Sequence, residues 1–266
     1  MAKRELYSNA DIVFTCSETF HYKGEMIMEE HALVRVLSGE LKVIQAGQTY
    51  VFGAGETHLF PRNQFATLIK YEKDGQAYKA IIVKLSGSDL RDFYATHLFG
   101  EITLPKHITA FNKSPLLDSF FNSLLPYFEL DNKLPKELAK LKIVEGITIL
   151  RTLDVNIDSV LADFSEPGKS ELNEFMEKNY MYNMPIHKFG YLTGRSITTF
   201  KRDFKKAFQT TPQRWLTQKR LELAHYQLKE KNRKPTEVYS EVGFENLSHF
   251  SYAFKKQFGY APTDIA

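Results

Sequence analysis

Between Arg195 and Lys206 the chain spaces hydroxyl and cationic side chains as a nucleic-acid reader would. On a helix turning about 100° per residue, with Phe200 at zero, Phe204 and Phe208 fall near about 40° and 80°. Lys201, Lys205, Thr198 and Arg202 then fall near about 100°, 140°, 160° and 200°. The phenylalanines make a core stripe, and the others share a polar face beside it. That face can form charge-assisted hydrogen bonds to phosphates and guanine, and hydroxyl bonds to base edges. The segment returns at an offset of 50 residues: SITTFKRDFKKAFQTTP, 196–212, is followed by NLSHFSYAFKKQFGYAP, 246–262. Phe250, Phe254, Lys255, Lys256, Phe258 and Pro262 repeat their counterparts in register. The second face, Ser248, Ser251, Tyr252 and Lys255, carries one basic residue. The first copy should therefore grip guanines and phosphates more strongly, while the second leans on hydroxyl contacts and thymine methyl packing.

Other chemistries find less support. His21, His31 and His58, with Glu25, Glu29, Glu30 and Glu56, could suggest a metal site, but no His-x-His occurs. His58 has only Glu56 close by, and a retained zinc or iron wants three or four ligands. No metal or other cofactor is expected. His58 and Arg62 are instead candidates for lining an effector pocket. Phosphate loops, nucleophile elbows, His-Glu-x-x-His helices and cysteine pairs are all missing from the sequence. Cys16 reads as a strand core residue.

The elements that position the repeat follow from the surrounding pattern. Each copy has a proline-opened helix (Pro185, Pro235), a glycine turn (Gly194, Gly243) and a second helix, which is the sequence picture of a helix-turn-helix. Between the copies, Thr211-Pro212 opens a long spacer helix to about Lys229, with Leu221, Ala224 and Leu228 on one apolar side. Trp215 should join that helix to the first copy. Upstream, from 11 to about 86, short alternating runs such as HALVRVL and KAIIVKL are split by glycine turns, predicting an antiparallel β-roll. Residues from about 88 to 164 read as helical. The helix opened by Pro135 carries Leu138, Leu141, Val144, Ile147, Leu150 and Leu153 at helical spacing, widened by Ile143 and Ile149. The segment SEPGKS makes 166–170 the linker. The expected fold is α+β: residues 1–165 form a β-roll with helices, and 171–266 an all-α double helix-turn-helix domain.

Charge agrees with this division. The whole chain of 266 residues carries only +3, but residues 185–260 hold 15 Lys+Arg against 6 Asp+Glu, a net of +9, and the remainder nets −6. A basic block on an acidic body points to an anionic partner for one part. The 21 Phe and 14 Tyr exclude a disordered chain. One cysteine excludes a disulfide-stapled secreted domain, and no signal peptide or membrane span is read, so a cytoplasmic location without membrane attachment is expected.

These residues resemble the AraC/XylS family of bacterial transcription regulators. The likeness covers about 171–262 and rests on GRSITTFKRDFKKAF, PQRWLTQKRLELAHYQLK and GFENLSHFSYAFKKQFGYAP. It implies two helix-turn-helix units on a linking helix, their second helices entering successive major grooves about 34 Å apart. Base contacts carry over onto Thr198, Lys201 and Arg202, and onto Leu247, Ser248, Ser251 and Tyr252. With their neighbours, the expected DNA-binding set adds Arg195, Ser196, Thr199, Lys205, Asn246, His249 and Lys255. The family likeness further implies a cupin-like N-terminal domain that takes an effector or regulatory protein, RNA polymerase as a partner, and a homodimer seam at Leu138, Leu141, Val144 and Ile147. Gln209 departs from the usual glycine. Gly190 replaces the usual alanine and should loosen its helix by about 1 kcal/mol. The competing reading is a cupin metalloenzyme whose C-terminal helices dock a partner. An RNA-binding adaptor is disfavoured because RNP-like and KH-like loops are missing.

Overall fold

The computed structural model describes residues 6–9, 11–17, 21–45, 48–97, 107–129 and 134–265. They divide into two compact units, Met1–Phe164 and Ser165–Ala266.

The first unit carries two antiparallel sheets. Strands β1 (Leu6–Asn9), β2 (Ile12–Ser17), β3 (His21–Met28), β4 (His31–Ser38), β5 (Glu40–Gln45), β6 (Gln48–Gly53), β7 (Thr57–Phe60), β8 (Gln64–Tyr71) and β9 (Tyr78–Leu85) follow in sequence. One sheet runs β1-β2-β9-β4-β7 and is completed by β10 (Thr109–Phe111); the other runs β3-β8-β5-β6. Along β5 the burial alternates, with Leu41 and Val43 inward, as a strand with one covered face requires. Residues 31–36 of β4 are buried without interruption because both faces of that strand are covered. Ala32, Val34 and Val36 join Leu41, Val43, Phe52 and Ala66 in a cluster fed by both sheets. Leu33, with Ile81 and Leu85 of β9, packs on the other side among helical residues.

Those helices are α1 (Gly87–Tyr94), α2 (Pro115–Glu129), α3 (Lys136–Leu153) and α4 (Asp158–Leu161). One sequence expectation is corrected in this stretch. Residues 88–164 are not helical throughout, because Thr109–Phe111 forms β10 and pairs with Thr57–Leu59 of β7. A three-residue strand has too little periodicity to be seen in sequence; the open edge of β7 recruits it. In α3 the leucine stripe divides, only Ile147 and Leu150 of it packing inward. Ala139, Ile143, Gly146, Ile147 and Leu150 are buried, while Leu138, Leu141, Val144 and Leu153 are exposed. Gly146 decides the rotation: a Cβ there would lie 3.1 Å from Phe120 Cζ, so the helix presents its bare side to that ring.

The second unit is helical: α5 (Leu172–Asn179), α6 (Ile186–Leu192), α7 (Ile197–Phe208), α8 (Pro212–Lys231), α9 (Pro235–Glu241) and α10 (Leu247–Phe258). The Phe200/Phe204 pair and its copy Phe250/Phe254 are fully buried. Trp215 packs on Phe204 and Phe208, with centroids 5.7 and 4.8 Å away, joining α8 to α7. Leu221, Ala224 and Leu228 carry the other half of α8 into a core with Val238, Val242, Phe250 and Phe254. Among the described residues, no helix is long and apolar enough to cross a membrane.

Candidate nucleic-acid interface

The sharp turn before α7 is built on Gly194, whose φ is +65° and where a Cβ would meet Pro167 O at 2.6 Å. Gly243 holds the equivalent place before α10 at φ +88°. Ser196 then starts α7, its Oγ accepting the Thr199 N–H at 3.2 Å. Asn246 starts α10 by accepting from Ser248 and His249 at 2.8 and 3.1 Å. The helices end alike: Gln209 adopts φ 56° where Gly259 has 87°, so the departure from glycine leaves the left-handed cap in place. Gly190 also has a packing reason. A methyl there would stand 3.2 Å from Arg195 O, and the Arg195 N–H donates to Gly190 O at 2.9 Å, so the small residue lets the turn close on α6.

With the turns fixed, Thr198, Lys201, Arg202 and Lys205 of α7 are all exposed. Arg202 is 75% exposed, and its Nε and Nη2 donate to Asp203 Oδ1 at 3.2 Å, which steers the guanidinium without burying it. Burial works to raise the Asp203 carboxyl, but hydrogen bonds from Arg202 and Arg195 outweigh it and hold the group below its ordinary range. Thr199 is half-buried against the Ser196 hydroxyl.

Arg195 stands apart from this set. Its side chain is 7% exposed, and its guanidinium donates to Asp203 Oδ2, Ser170 O and Thr193 O at 3.2, 3.0 and 2.7 Å. It fastens the turn rather than facing outward. In the second copy the two paired positions are Glu245 and Ala253. That coordinated loss was the sequence signal of the ion pair.

On α10, Ser248, His249, Tyr252 and Lys255 are exposed, Tyr252 at 69%. Ser251 is half-buried, and Leu247 packs against the core of Phe250 and Phe254.

Sequence reasoning missed Arg220. It is buried on α8 and donates to Tyr180 O, Tyr182 O and Gly243 O at 3.0, 2.7 and 3.1 Å, tying the segment before α6 to the turn before α10. An arginine inside a helix rich in cations gives no sign of which way it points.

In the first unit a cavity of about 560 Å³ is lined by residues including Thr15, Met28, Val34, Phe60, Lys70 and Tyr78. Lys70 Nζ donates to Thr15 Oγ1 at 3.0 Å and lies 5.0 Å from the Tyr78 ring. Burial raises the Tyr78 hydroxyl well above its usual value. Neither His58 nor Arg62 lines this cavity. His58 packs tilted on Phe52 with centroids 3.7 Å apart, and burial lowers its pKa to about 4 against the opposing pull of Glu56. Arg62 Nη2 donates to Asp163 O at 2.7 Å. The side chains of His21 and Glu25 lie outside the described residues. Among the described residues, no three His, Cys, Asp or Glu side chains assemble as a metal-binding group. Of the proposed seam, Leu138, Leu141 and Val144 form an outward strip on α3, while Ile147 is fully buried and cannot join it.

Comparisons place these features among known proteins. Residues 192–266 match the family described as a helix-turn-helix domain, and residues 31–154 match the ExsA N-terminal regulatory domain. The thermoregulatory protein LcrF of Yersinia pestis is 26% identical over 244 residues, covering 88% of each chain. The HTH-type transcriptional regulator ExsA of Pseudomonas aeruginosa is 26% identical over 253 residues, covering 92% of this chain and 88% of that one. Among solved structures, an apo variant of ToxT from Vibrio cholerae aligns at a TM-score of 0.48 and 12% identity, over 96% of this chain and 97% of that one.

Proposed function

Because the chain belongs to the AraC/XylS family of bacterial transcription regulators, we propose that it places α7 and α10 in successive major grooves of a promoter. It is a DNA-binding regulator and not an enzyme, which sets aside the metalloenzyme reading. One observation carries the assignment of the interface. Two copies of one helix-turn-helix frame share α8, and the first exposes a hydroxyl and three cations on a face beside its phenylalanine stripe.

Thr198, Lys201 and Arg202 are the base readers of the first helix-turn-helix, Arg202 suited to a bidentate bond with guanine. Ser248, Ser251 and Tyr252 serve the second, with Lys255 on a phosphate. Residues 171–266 are the DNA-binding domain, 166–170 the linker, and 1–165 the domain through which a small-molecule effector or regulatory protein acts. The cavity between the sheets is the better seat for a small molecule than the surroundings of His58 and Arg62. Leu138, Leu141 and Val144 are the homodimer seam. RNA polymerase is the partner at the promoter, and the chain works in the cytoplasm.

The test is capture of duplexes from a random pool by the intact chain, followed by titration of Arg202→Ala. The variant should lose about 1–3 kcal/mol on the selected duplex and relax preference at one base pair. Unchanged binding would overturn the assignment of α7.

A further inference from the structure

The carboxylate of Asp203 stands between two arginines of opposite exposure. Its Oδ2 accepts from Arg195 Nε, and its Oδ1 from Arg202 Nε and Nη2, each at 3.2 Å. Arg195 is buried, whereas Arg202 is exposed on the reading face. Arg195 is anchored in turn on backbone, its Nη1 donating to Ser170 O at 3.0 Å and to Thr193 O at 2.7 Å. Ser170 ends the linker, and other backbone atoms of the linker close on the same turn. A Cβ on Gly194 would meet Pro167 O and Gly168 C at 2.6 Å and Lys169 N at 2.7 Å. The Asp203 carboxylate also feels the charge of Lys169. Residues 167–170 are thus clasped to the turn before α7. From Ser170 O an unbroken run of charge-assisted hydrogen bonds leads through Arg195 and Asp203 to Arg202.

We propose that Arg195 and Asp203 are positioning residues for base reading, and that through them the linker's hold on the turn sets how well Arg202 selects guanine. Asp203 takes the Nε proton and the near proton of Nη2. The outward protons of Nη1 and Nη2 are left side by side for guanine O6 and N7. Fixing one rotamer-rich side chain before it binds is worth about two- to tenfold in affinity. The second copy has no such run, since Glu245, Tyr252 and Ala253 stand where the first has Arg195, Arg202 and Asp203. The linker therefore bears on the first half-site and not on the second. Coupling of this kind is mutual, so a guanine held by Arg202 tightens the clasp on 167–170. The inference rests on α7 being the reading helix.

The experiment uses the intact chain, a duplex it selects from a random pool, and that duplex changed at the one base pair whose preference Arg202→Ala relaxes. Asp203→Asn and Arg195→Met should each lower the preference at that pair about two- to tenfold and leave the second half-site untouched. In the Arg202→Ala background neither should lower it further, a result that general loosening of the fold would not give. Trp215 fluorescence during urea unfolding checks that each variant is folded. Should Arg195→Met unfold, Asp203→Asn, isosteric and partly exposed, carries the same test. The linker is followed by brief trypsin treatment and mass spectrometry of the fragment ending at Lys169, next to the residue that Arg195 holds. The native chain saturated with the selected duplex should be cut there more slowly than when saturated with the changed one, and both variants should abolish the difference. Unaltered preference in the folded variants, or equal cutting of the native chain on the two duplexes, would overturn the proposal. If Arg202→Ala relaxed no base pair, the underlying reading of α7 would fall instead.

Discussion

Replacing Arg220 by methionine should loosen the coupling between the two helix-turn-helix units while keeping the stem that fills its place on α8. The guanidinium serves three carbonyls, those of Tyr180, Tyr182 and Gly243. Tyr180 and Tyr182 are half-buried, so water can replace the lost donors at about 0.5–1.5 kcal/mol each. Gly243 is buried, and its unserved carbonyl costs about 1–3 kcal/mol. Relief from burying the charge offsets part of this, leaving a net loss of about 2–4 kcal/mol. Trp215 is the one tryptophan of the chain and lies on α8, so its fluorescence in a urea titration reports this unit. The midpoint should fall with the slope unchanged. Lys219→Met is the control, since that lysine meets Glu177 at 2.9 Å near the surface and is worth under about 1 kcal/mol. Affinity for a duplex with two half-sites should fall more than affinity for one half-site, because the spacing of α7 and α10 is no longer held. An Arg220→Met chain that unfolds at the native midpoint and keeps its two-site advantage would refute the reasoning.

The remaining predictions concern the first unit. Leu141 is 64% exposed on α3, so Leu141→Lys should convert a dimer to a monomer in sedimentation without lowering the unfolding midpoint. Ile147→Ala, at a fully buried site, should instead cost about 2–5 kcal/mol of stability and leave the association state unchanged. His58, its pKa lowered by burial to about 4, stays neutral in the folded chain where the unfolded chain takes a proton below about 6.5. Stability should therefore fall as pH drops from about 6.5 to 4, by at most about 3 kcal/mol, and His58→Gln should remove that slope in urea midpoints followed by circular dichroism.

How much of this was legible depended on the distance over which each decision is made. Phe200, Phe204 and Phe208 recur at helical spacing, and the cores around Phe200/Phe204 and Phe250/Phe254 follow from local geometry alone. The caps at Ser196 and Asn246, the glycine turns and the exposure of Thr198, Lys201 and Arg202 belong to the same class. The inward turn of Arg195 did not, because it needs Asp203 on α7 and the carbonyl of Ser170 beside it. Only the second copy, with Glu245 and Ala253, hinted that the two belong together.

The amino-acid order by itself determined the duplicated frame, the split of charge between the two halves and the class of partner. Helical period and turn chemistry act within a few residues and so are written directly in the chain. Tertiary structure alone decided which apolar face of α3 packs, because both faces satisfy the period and the one with Gly146 closes on Phe120. It likewise decided that β7 takes β10, that Arg220 links the two helix-turn-helix copies, and that Lys201 and Lys205 border a groove with Pro212. Each of these depends on elements distant in sequence meeting in space, where the side chain that wins a contact is set by what stands opposite it.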